Sequence, residues 1–256
     1  MSDAQGEVVV SVRDVYKSFG DNHVHRGVSL DLHRDETLVL LGPSGTGKSV
    51  LIKMIVALLT PDRGEIRVFG EDIHQLPRKA LNAVRVRMGF SFQHSALYDS
   101  MTVAENLAFP LEMNRPELSD AEIAQRVTAV LDAVGLPKTR KQMPASLSGG
   151  QRKRIGVARS LIMEPEIMLY DEPTAGLDPV AAADLNDLIV QVQHEYHTAS
   201  IVITHDLASA KAIADRVLML FDGKVFRSGS FDEIFESDDP RVRAFYDYNF
   251  TDDRSL

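Results

Sequence analysis

The chain has 256 residues, enough for a large domain with an ample core, and its 44% hydrophobic and 25% charged residues are ordinary values for a folded protein. A formal net charge of −9 disfavours a basic surface that would bind nucleic acid or anionic lipid head groups. The absence of cysteine excludes disulfides, thiolate metal sites and cysteine nucleophiles.

Neither a secretory signal nor a membrane span is predicted. The first apolar run, residues 8–10, is too short for a signal and follows acidic residues. The longest candidate span, residues 50–59, would cover roughly half a bilayer and contains Lys53. We therefore expect no nucleic-acid partner, no direct membrane insertion, and membrane association only through a protein partner.

The first third of the chain predicts mainly strands. Apolar residues alternate around residues 8–15, 28–32 and 66–69, with glycines at the turns. Residues 37–41 form a continuous apolar run, which is typical of a buried central strand and leads directly into a Gly-rich loop. A further strand is predicted over residues 86–92.

Helices are predicted from about residue 95 to residue 146. Thr102 with Glu105, and Ser119 with Glu122, match the capping-box pattern, and Gly135 is placed to end the second helix. This segment is predicted to be a helical insert.

After Ser148, helices and strands alternate, which predicts an α/β fold with a mostly parallel sheet. Residues 216–227 predict a hairpin, and residues 237–256 are polar with four clustered aromatics. The other predicted strands cover residues 166–171 and 200–204, and the helices cover 180–196 and 207–215.

Residues 42–49 fit the phosphate-loop pattern G-x-x-x-x-G-K-[ST], between a predicted strand and a predicted helix. Glycines allow backbone N–H groups to converge on phosphate oxygens, and the following helix adds the positive end of its dipole. Lys48 is predicted to reach the β- and γ-phosphates, and Ser49 to bind Mg²⁺. The predicted ATP contacts in this segment are Gly42, Pro43, Ser44, Gly45, Thr46, Gly47, Lys48, Ser49 and Val50.

The apolar run at residues 167–170 is followed by two acidic residues, Asp171 and Glu172. Asp171 is the natural partner of Mg²⁺, usually through water, and Glu172 is placed to act on the attacking water. Many strands end in acidic residues, so this pattern gains its weight from occurring together with the Gly-rich loop.

The segment Leu147-Ser148-Gly149-Gly150-Gln151 predicts a second anion site. Ser148 and Gln151 form a capping box, so a helix begins here, and the helix dipole and the glycine backbone favour an anion. An ordinary capped helix would not explain the paired glycines, which are poor helix formers. Since the Gly-rich loop already holds one triphosphate, this site needs another γ-phosphate.

With these motifs, the sequence resembles the nucleotide-binding subunits of ABC transporters over nearly its whole length. The resemblance implies an ATPase that uses ATP and Mg²⁺ and acts as a pair of identical subunits. It implies the ABC ATPase fold over residues 1–236, with a RecA-like P-loop NTPase core, an antiparallel β subdomain and the helical insert at about residues 95–146. The residues implied to contact the partner's ATP are Ser148, Gly149, Gly150, Gln151 and Asp178.

Other positions match the family's motifs. Gln93 resembles the Q-loop glutamine, which contacts Mg²⁺ and the water and couples to the membrane subunit. His205 resembles the switch histidine at the γ-phosphate, and residues 175–178 resemble the D-loop, although Ala175 stands where many relatives have Ser. The implied catalytic residues are Glu172, His205, Lys48 and Gln93, and the implied metal ligands are Ser49, Gln93 and Asp171.

The segment around Phe19 resembles the segment of this family in which an aromatic ring stacks on adenine. Phe19 is the predicted stacking residue and Tyr16 is the alternative. An aromatic side chain in a strand more often belongs to the core.

Residues 92–111 resemble subunits of MCE-associated lipid transporters, the Mla-like class, as do Met143-Pro144 and residues 239–245. The resemblance implies an integral membrane permease, an MCE lipid-binding subunit as a further partner, and a peripheral location on the cytoplasmic face of the inner membrane. The alternatives are an ATPase of an amino-acid or other small-solute importer and, third, a soluble ABC ATPase without a transport role.

Residues 237–256 are predicted to be a C-terminal tail that docks on a partner subunit. Clustered aromatic side chains are a liability in water unless they are covered. We hypothesise that Phe245 and one of the neighbouring tyrosines anchor the tail on the second copy.

Overall fold

The computed structural model describes residues 6–93 and 95–251, and residues 248–251 by their backbone alone. A six-stranded sheet in the order β10-β9-β3-β8-β7-β6 forms its centre. All neighbouring strands in it are parallel except the β9–β10 hairpin. The strands are β3 (Thr37–Leu41), β6 (Met88–Ser91), β7 (Ile167–Asp171), β8 (Ala199–Ile203), β9 (Arg216–Phe221) and β10 (Lys224–Gly229).

The central strands are buried on both faces. Every residue of β3, β7 and β8 is buried, in agreement with the continuous apolar runs in the sequence. Four adjacent parallel strands, β3, β8, β7 and β6, end at the same edge of the sheet. The segments that follow these strands therefore meet there, which is where parallel sheets place their ligand sites.

A second, antiparallel sheet has the order β2-β1-β4-β5. Val10, Val12, Val15 and Val28 are fully buried on its inner face. The register of β1 against β2 shifts around Asp14, whose φ of 47° is left-handed. The strands are β1 (Val8–Phe19), β2 (Asn22–His33), β4 (Arg63–Val68) and β5 (Glu71–Asp72).

The predicted helical insert is present. Both capping boxes form, at Thr102 and at Ser119, and Gly135 has a φ of 71° just after the second helix. The two helices pack on each other and on the helix that follows Ser148. These three helices are α3 (Val103–Asn114), α4 (Asp120–Ala133) and α5 (Gly149–Leu161).

The remaining helices flank the sheets or end the chain. The segment predicted as helical up to residue 215 ends two residues earlier, and the next strand begins at Arg216. Within the described ranges, no helix is long and apolar enough to cross a membrane. These helices are α1 (Lys48–Ile55), α6 (Pro179–Tyr196), α7 (Leu207–Ile213), α8 (Phe231–Phe235) and α9 (Pro240–Thr251).

Within the described residues, three α-helices were not predicted: α2 (Arg78–Val86), α8 and α9. α2 occupies the first position of the strand predicted over residues 86–92, and β6 is correspondingly shorter. Val84 is the one buried residue of α2. Leu81, one turn earlier on the same face, is partly buried against the core, so the sequence of α2 is amphipathic and is compatible with a helix.

The hypothesis that Phe245 anchors on a partner is wrong. α9 folds back on the same chain, where Phe245 is 8% exposed and contacts Phe221 edge to face at 6.4 Å between ring centroids. Tyr246 of the same helix packs against Phe235 and remains 38% exposed. The side chains of Tyr248 and Phe250 lie outside the described residues. Docking of residues 237–256 on a partner stays a prediction for the exposed side of α9.

Candidate functional site

The edge where β3, β6, β7 and β8 end opens into a cavity of about 520 Å³. Its wall combines the Gly-rich loop with residues from four other parts of the chain. Asn22, Val24 and Ile203 also line the cavity and were not predicted. The predicted residues in the wall are Phe19, Ser44, Gly45, Gly47, Lys48, Ser49, Val50, Gln93, Glu172 and His205.

The Gly-rich loop has a backbone that only glycine fits at two positions. A Cβ atom on Gly47, whose φ is 91°, would lie 2.3 Å from Val24 Cγ1. A Cβ on Gly42 would lie 2.3 Å from the carbonyl oxygen of Leu220. The loop therefore follows its neighbours closely and leaves its other side to the cavity.

Lys48 is buried at the base of this loop. Its Nζ donates hydrogen bonds to the carbonyl oxygens of Gly42, at 2.7 Å, and Pro43, at 3.1 Å. Burial lowers the pKa of Lys48, and the nearby carboxylates of Glu172 and Asp171 oppose that shift.

α1 begins at Lys48 without a side-chain cap, so the N–H groups of its first turn have no side-chain acceptor. A buried ammonium next to uncapped helix N–H groups and a glycine cradle is the arrangement that binds a polyphosphate. The residues present therefore fit the triphosphate of ATP.

Ser49 and Asp171 are brought together although they are 122 positions apart. The Ser49 hydroxyl donates a hydrogen bond of 2.8 Å to Asp171 Oδ1. Hydroxyl and carboxylate oxygens are ligands that Mg²⁺ accepts in proteins. Ser49 and Gln93 line the same cavity, and Asp171 is joined to Ser49 by this hydrogen bond. The three residues together fit a nucleotide-bound Mg²⁺.

Glu172 and His205 follow the neighbouring strands β7 and β8. Glu172 has a φ of 49° and donates its backbone N–H to the carbonyl oxygen of Ile203, which turns the chain away from the sheet. Its Oε2 lies 2.9 Å from His205 Nδ1, an ion-pair distance, but the two atoms lack the alignment of a hydrogen bond. The His205 side chain is 57% exposed and the Glu172 side chain 15%. The carboxylate is thus held at the cavity wall with room to accept a proton from water.

Ser148 caps α5 as predicted. Its hydroxyl accepts a hydrogen bond from the Gln151 N–H, at 3.2 Å, and Gln151 Oε1 accepts one from the Ser148 N–H, at 3.0 Å. Ser148 and Gly149 are exposed. As far as the chain is described, none of residues 148–151 lines the cavity of the Gly-rich loop.

Asp178 lies at the start of α6. Its carboxylate caps that helix, accepting hydrogen bonds from the N–H groups of Val180, at 3.1 Å, and Ala181, at 3.0 Å. The preceding residues of the predicted D-loop line a different cavity, of about 450 Å³, together with Gly149. The residues predicted to act in trans therefore lie outside the cavity of the Gly-rich loop.

Phe19 and Tyr16 have different surroundings. Phe19 is 48% exposed and lines the nucleotide cavity. Tyr16 lies under the guanidinium of Arg63, 5.5 Å from the ring centroid, and its hydroxyl faces Gly27. The geometry favours Phe19 as the adenine-stacking residue.

Two residues next to the cavity were not predicted. His25 is 1% exposed directly behind Gly47, and burial lowers its pKa to about 4, so it is neutral near pH 7. Lys153 of α5 reaches the backbone of Gln93 and of Glu172. Neither residue stands in a motif, because each acts through contacts with distant parts of the chain.

The sequence matches a known family. The profile described as ABC transporter covers residues 25–175. The protein TRIGALACTOSYLDIACYLGLYCEROL 3 of Arabidopsis thaliana is 40% identical over 93% of this chain and 73% of its own length. The methionine import ATP-binding protein MetN of Caulobacter vibrioides is 38% identical, over 89% and 68%. The intermembrane phospholipid transport system ATP-binding protein MlaF of Escherichia coli is 36% identical, over 93% and 88%.

A solved structure shows the same fold. The dimeric ATP-binding cassette MJ0796, in a post-hydrolysis state with ADP and Pi, superposes with a TM-score of 0.79 at 30% identity. The alignment covers 87% of this chain and 98% of the cassette. The predicted fold class, a RecA-like core with an antiparallel β subdomain and a helical insert, is confirmed.

Proposed function

The chain belongs to the ABC transporter family as an ATP-hydrolysing subunit, and from that premise we propose that two copies close around two Mg-ATP to drive a phospholipid permease. One observation carries the proposal. The Gly-rich loop, Ser49, Glu172 and His205 line one cavity, and Asp171 is hydrogen-bonded to Ser49, whereas Ser148 and Gly149 are exposed outside that cavity. A second copy would bring its own residues 148–151 to that cavity.

The cavity residues divide the chemistry among themselves. Bound ATP supplies the γ-phosphoryl group, and Mg²⁺ neutralises its charge. The N–H groups of residues 44–49 and the Lys48 ammonium hold the phosphates, with Ser49 and Asp171 on the metal side. Glu172 accepts the proton of the attacking water, and His205, which is largely exposed, contacts the γ-phosphate.

The helical insert supports a permease as partner. A groove next to Gln93 runs between β6, α3 and α5 and is lined by Phe90, Phe92, Pro110 and Met163. Phe92 is 41% exposed there. A groove of mixed polar and apolar lining beside the predicted Q-loop would let a segment of a membrane subunit contact both the insert and the nucleotide site.

The substrate class rests on similarity to MlaF, whose name states phospholipid transport. The segments at residues 92–111 and 239–245 point to the same class, and with it to an MCE lipid-binding subunit and the cytoplasmic face of the inner membrane. Import of a small solute is the alternative, because MetN, named for methionine import, is equally similar over most of the chain.

Reconstitution with the native permease tests the substrate class. The chain is purified with the membrane proteins that accompany it and placed in liposomes containing a fluorescent phospholipid. We expect ATP-dependent movement of the phospholipid, and none with Lys48→Ala as the matched inactive control. Stimulation of ATP hydrolysis by methionine or another small solute, with no movement of phospholipid, would contradict the lipid assignment.

A further inference from the structure

Lys153 lies on α5, five positions after Ser148, and its ammonium group joins three parts of the chain. Its Nζ donates hydrogen bonds to the backbone carbonyl oxygen of Gln93, at 2.5 Å, and to that of Glu172, at 3.3 Å. The side chain is partly buried. One cation on α5 thus holds the main chain of two residues that line the nucleotide cavity.

Both carbonyl groups belong to backbone that needs support. Glu172 adopts a left-handed conformation, with a φ of 49°, which is unfavourable for a residue with a side chain. Gln93 follows β6 in a stretch without regular structure. A hydrogen bond from an ammonium is roughly twice as strong as one between neutral groups, so Lys153 stabilises these positions more than a neutral donor would.

Further residues of α5 contact the chain on both sides of Gln93. The Cβ position of Gly156 lies 3.1 Å from Ser95 Cβ, so the helix and this segment are in close contact. The Ser160 hydroxyl donates to the carbonyl oxygen of Phe90 at 2.9 Å, and the Arg159 guanidinium donates to that of Ala96. Residues 153, 156 and 160 lie three and four positions apart and share one helix face. A displacement of α5 would therefore carry the Gln93 segment with it.

This inference rests on the proposed function. Under it, the start of α5 and Lys153 act on different nucleotides. The start of α5, at Ser148, would face the ATP held by the partner. Lys153, roughly 7.5 Å further along the helix at 1.5 Å per residue, contacts the residues that act on the chain's own ATP. We propose that Lys153 is a positioning residue that aligns Glu172 and Gln93 when α5 engages the partner's ATP, so that hydrolysis at the two sites becomes cooperative.

Matched substitutions on α5 test this role. Lys153→Met keeps the length of the side chain and removes its charge, and Lys153→Arg restores a charged donor. Arg152→Met removes the same charge from the adjacent, exposed position. Each full-length variant is assayed for ATP hydrolysis against ATP concentration, for binding of a fluorescent ATP analogue by the monomer, and for Tm.

For Lys153→Met we expect kcat to fall about 10- to 100-fold, with KM and monomer binding within about threefold of wild type. The Hill coefficient for ATP should fall from above 1 to about 1. Lys153→Arg should recover most of the wild-type kcat and Hill coefficient. Arg152→Met should behave as wild type. Should Lys153→Met not fold, Lys153→Gln, a neutral donor, takes its place with the same expectation.

Unchanged kcat and Hill coefficient in a folded Lys153→Met protein would overturn the inference, as would an equal loss in Arg152→Met. These results leave the proposed function intact, because wild type still hydrolyses ATP cooperatively. A wild-type Hill coefficient of 1 would also overturn this inference, whereas the paired function would fail if Mg-ATP gave no dimer of Glu172→Gln on a sizing column.

Discussion

The Gly-rich loop and the start of α5 are the two predicted anion sites, but they differ in how many of the surrounding residues come from the same chain. Around the loop, the buried Lys48 lines a single cavity together with Ser49, Glu172 and His205, and Asp171 is hydrogen-bonded to Ser49. Ser148 and Gly149, by contrast, are exposed. Under the proposed function, one chain would suffice to bind ATP, whereas hydrolysis would need a second chain to complete the site.

Loss of the base is expected to have the largest effect and sharpens this comparison. Glu172→Gln keeps the loop and its lysine, so ATP still binds, but the attacking water loses its acceptor. Turnover should fall by roughly two to four orders of magnitude in a steady-state assay. With Mg-ATP the variant should stay closed and elute as a dimer from a sizing column. Near-normal turnover would show that another residue is the base.

The next test treats the two anion sites separately. Lys48→Ala removes the buried cation, so binding of a fluorescent ATP analogue by the monomer should weaken by about 100-fold or more. Ser148→Arg places a bulky cation at the exposed site and should leave monomer binding unchanged. Combined with Glu172→Gln, it should prevent the ATP-dependent dimer. Equal loss of monomer binding in the two single variants would mean that both sites serve one nucleotide.

Packing of α9 should stabilise the surroundings of the Gly-rich loop more than those of the signature segment, residues 147–151. Phe245 and Phe221 line a cavity together with Gly42, so Phe245→Ala should lower the free energy of unfolding by about 3 kcal/mol. Met143, near the signature segment, is 39% exposed, and Met143→Ala should cost less than about 1 kcal/mol. Urea unfolding measures both, and equal costs would contradict this account of the tail.

A pH dependence is also expected behind the loop, at His25. The pKa of His25 is about 4 in the folded chain and 6.5 as the ordinary value, so between these values the unfolded chain binds more protons. The contribution of neutral His25 is therefore fully present above pH 6.5 and is lost as the pH falls towards 4. At 1.36 kcal/mol per pKa unit, it amounts to roughly 3 kcal/mol at most.

Urea unfolding at several pH values measures this contribution. His25→Leu should lose less stability than wild type between pH 7 and 4.5, and the exposed His194→Gln serves as a control with wild-type behaviour. If His25→Leu and wild type lose the same stability, His25 is not the group that titrates.

Features that depend on a few consecutive residues were predictable. The capping boxes at Thr102, Ser119 and Ser148 form because cap and partner lie three positions apart. The family followed from short motifs in the same way, and the profile match confirms it. The roles given to Glu172, His205 and Gln93 stay predictions, although the structure places all three in one cavity.

Features that depend on distant contacts were not predictable. Phe245 of the tail was correctly expected to be covered, but the sequence could not say by what, and this residue packs on its own chain.

By itself, the sequence determined the fold class, the family and the residues at the strand ends, because strand periodicity and phosphate-binding turns are encoded within a few neighbouring positions. Tertiary structure alone decided which of those residues meet. Ser49 reaches Asp171 across 122 positions, and Lys153 reaches Gln93 across 60. Strand order and helix packing set such contacts, and both arise from burial of apolar surface summed over the whole chain rather than from any local pattern.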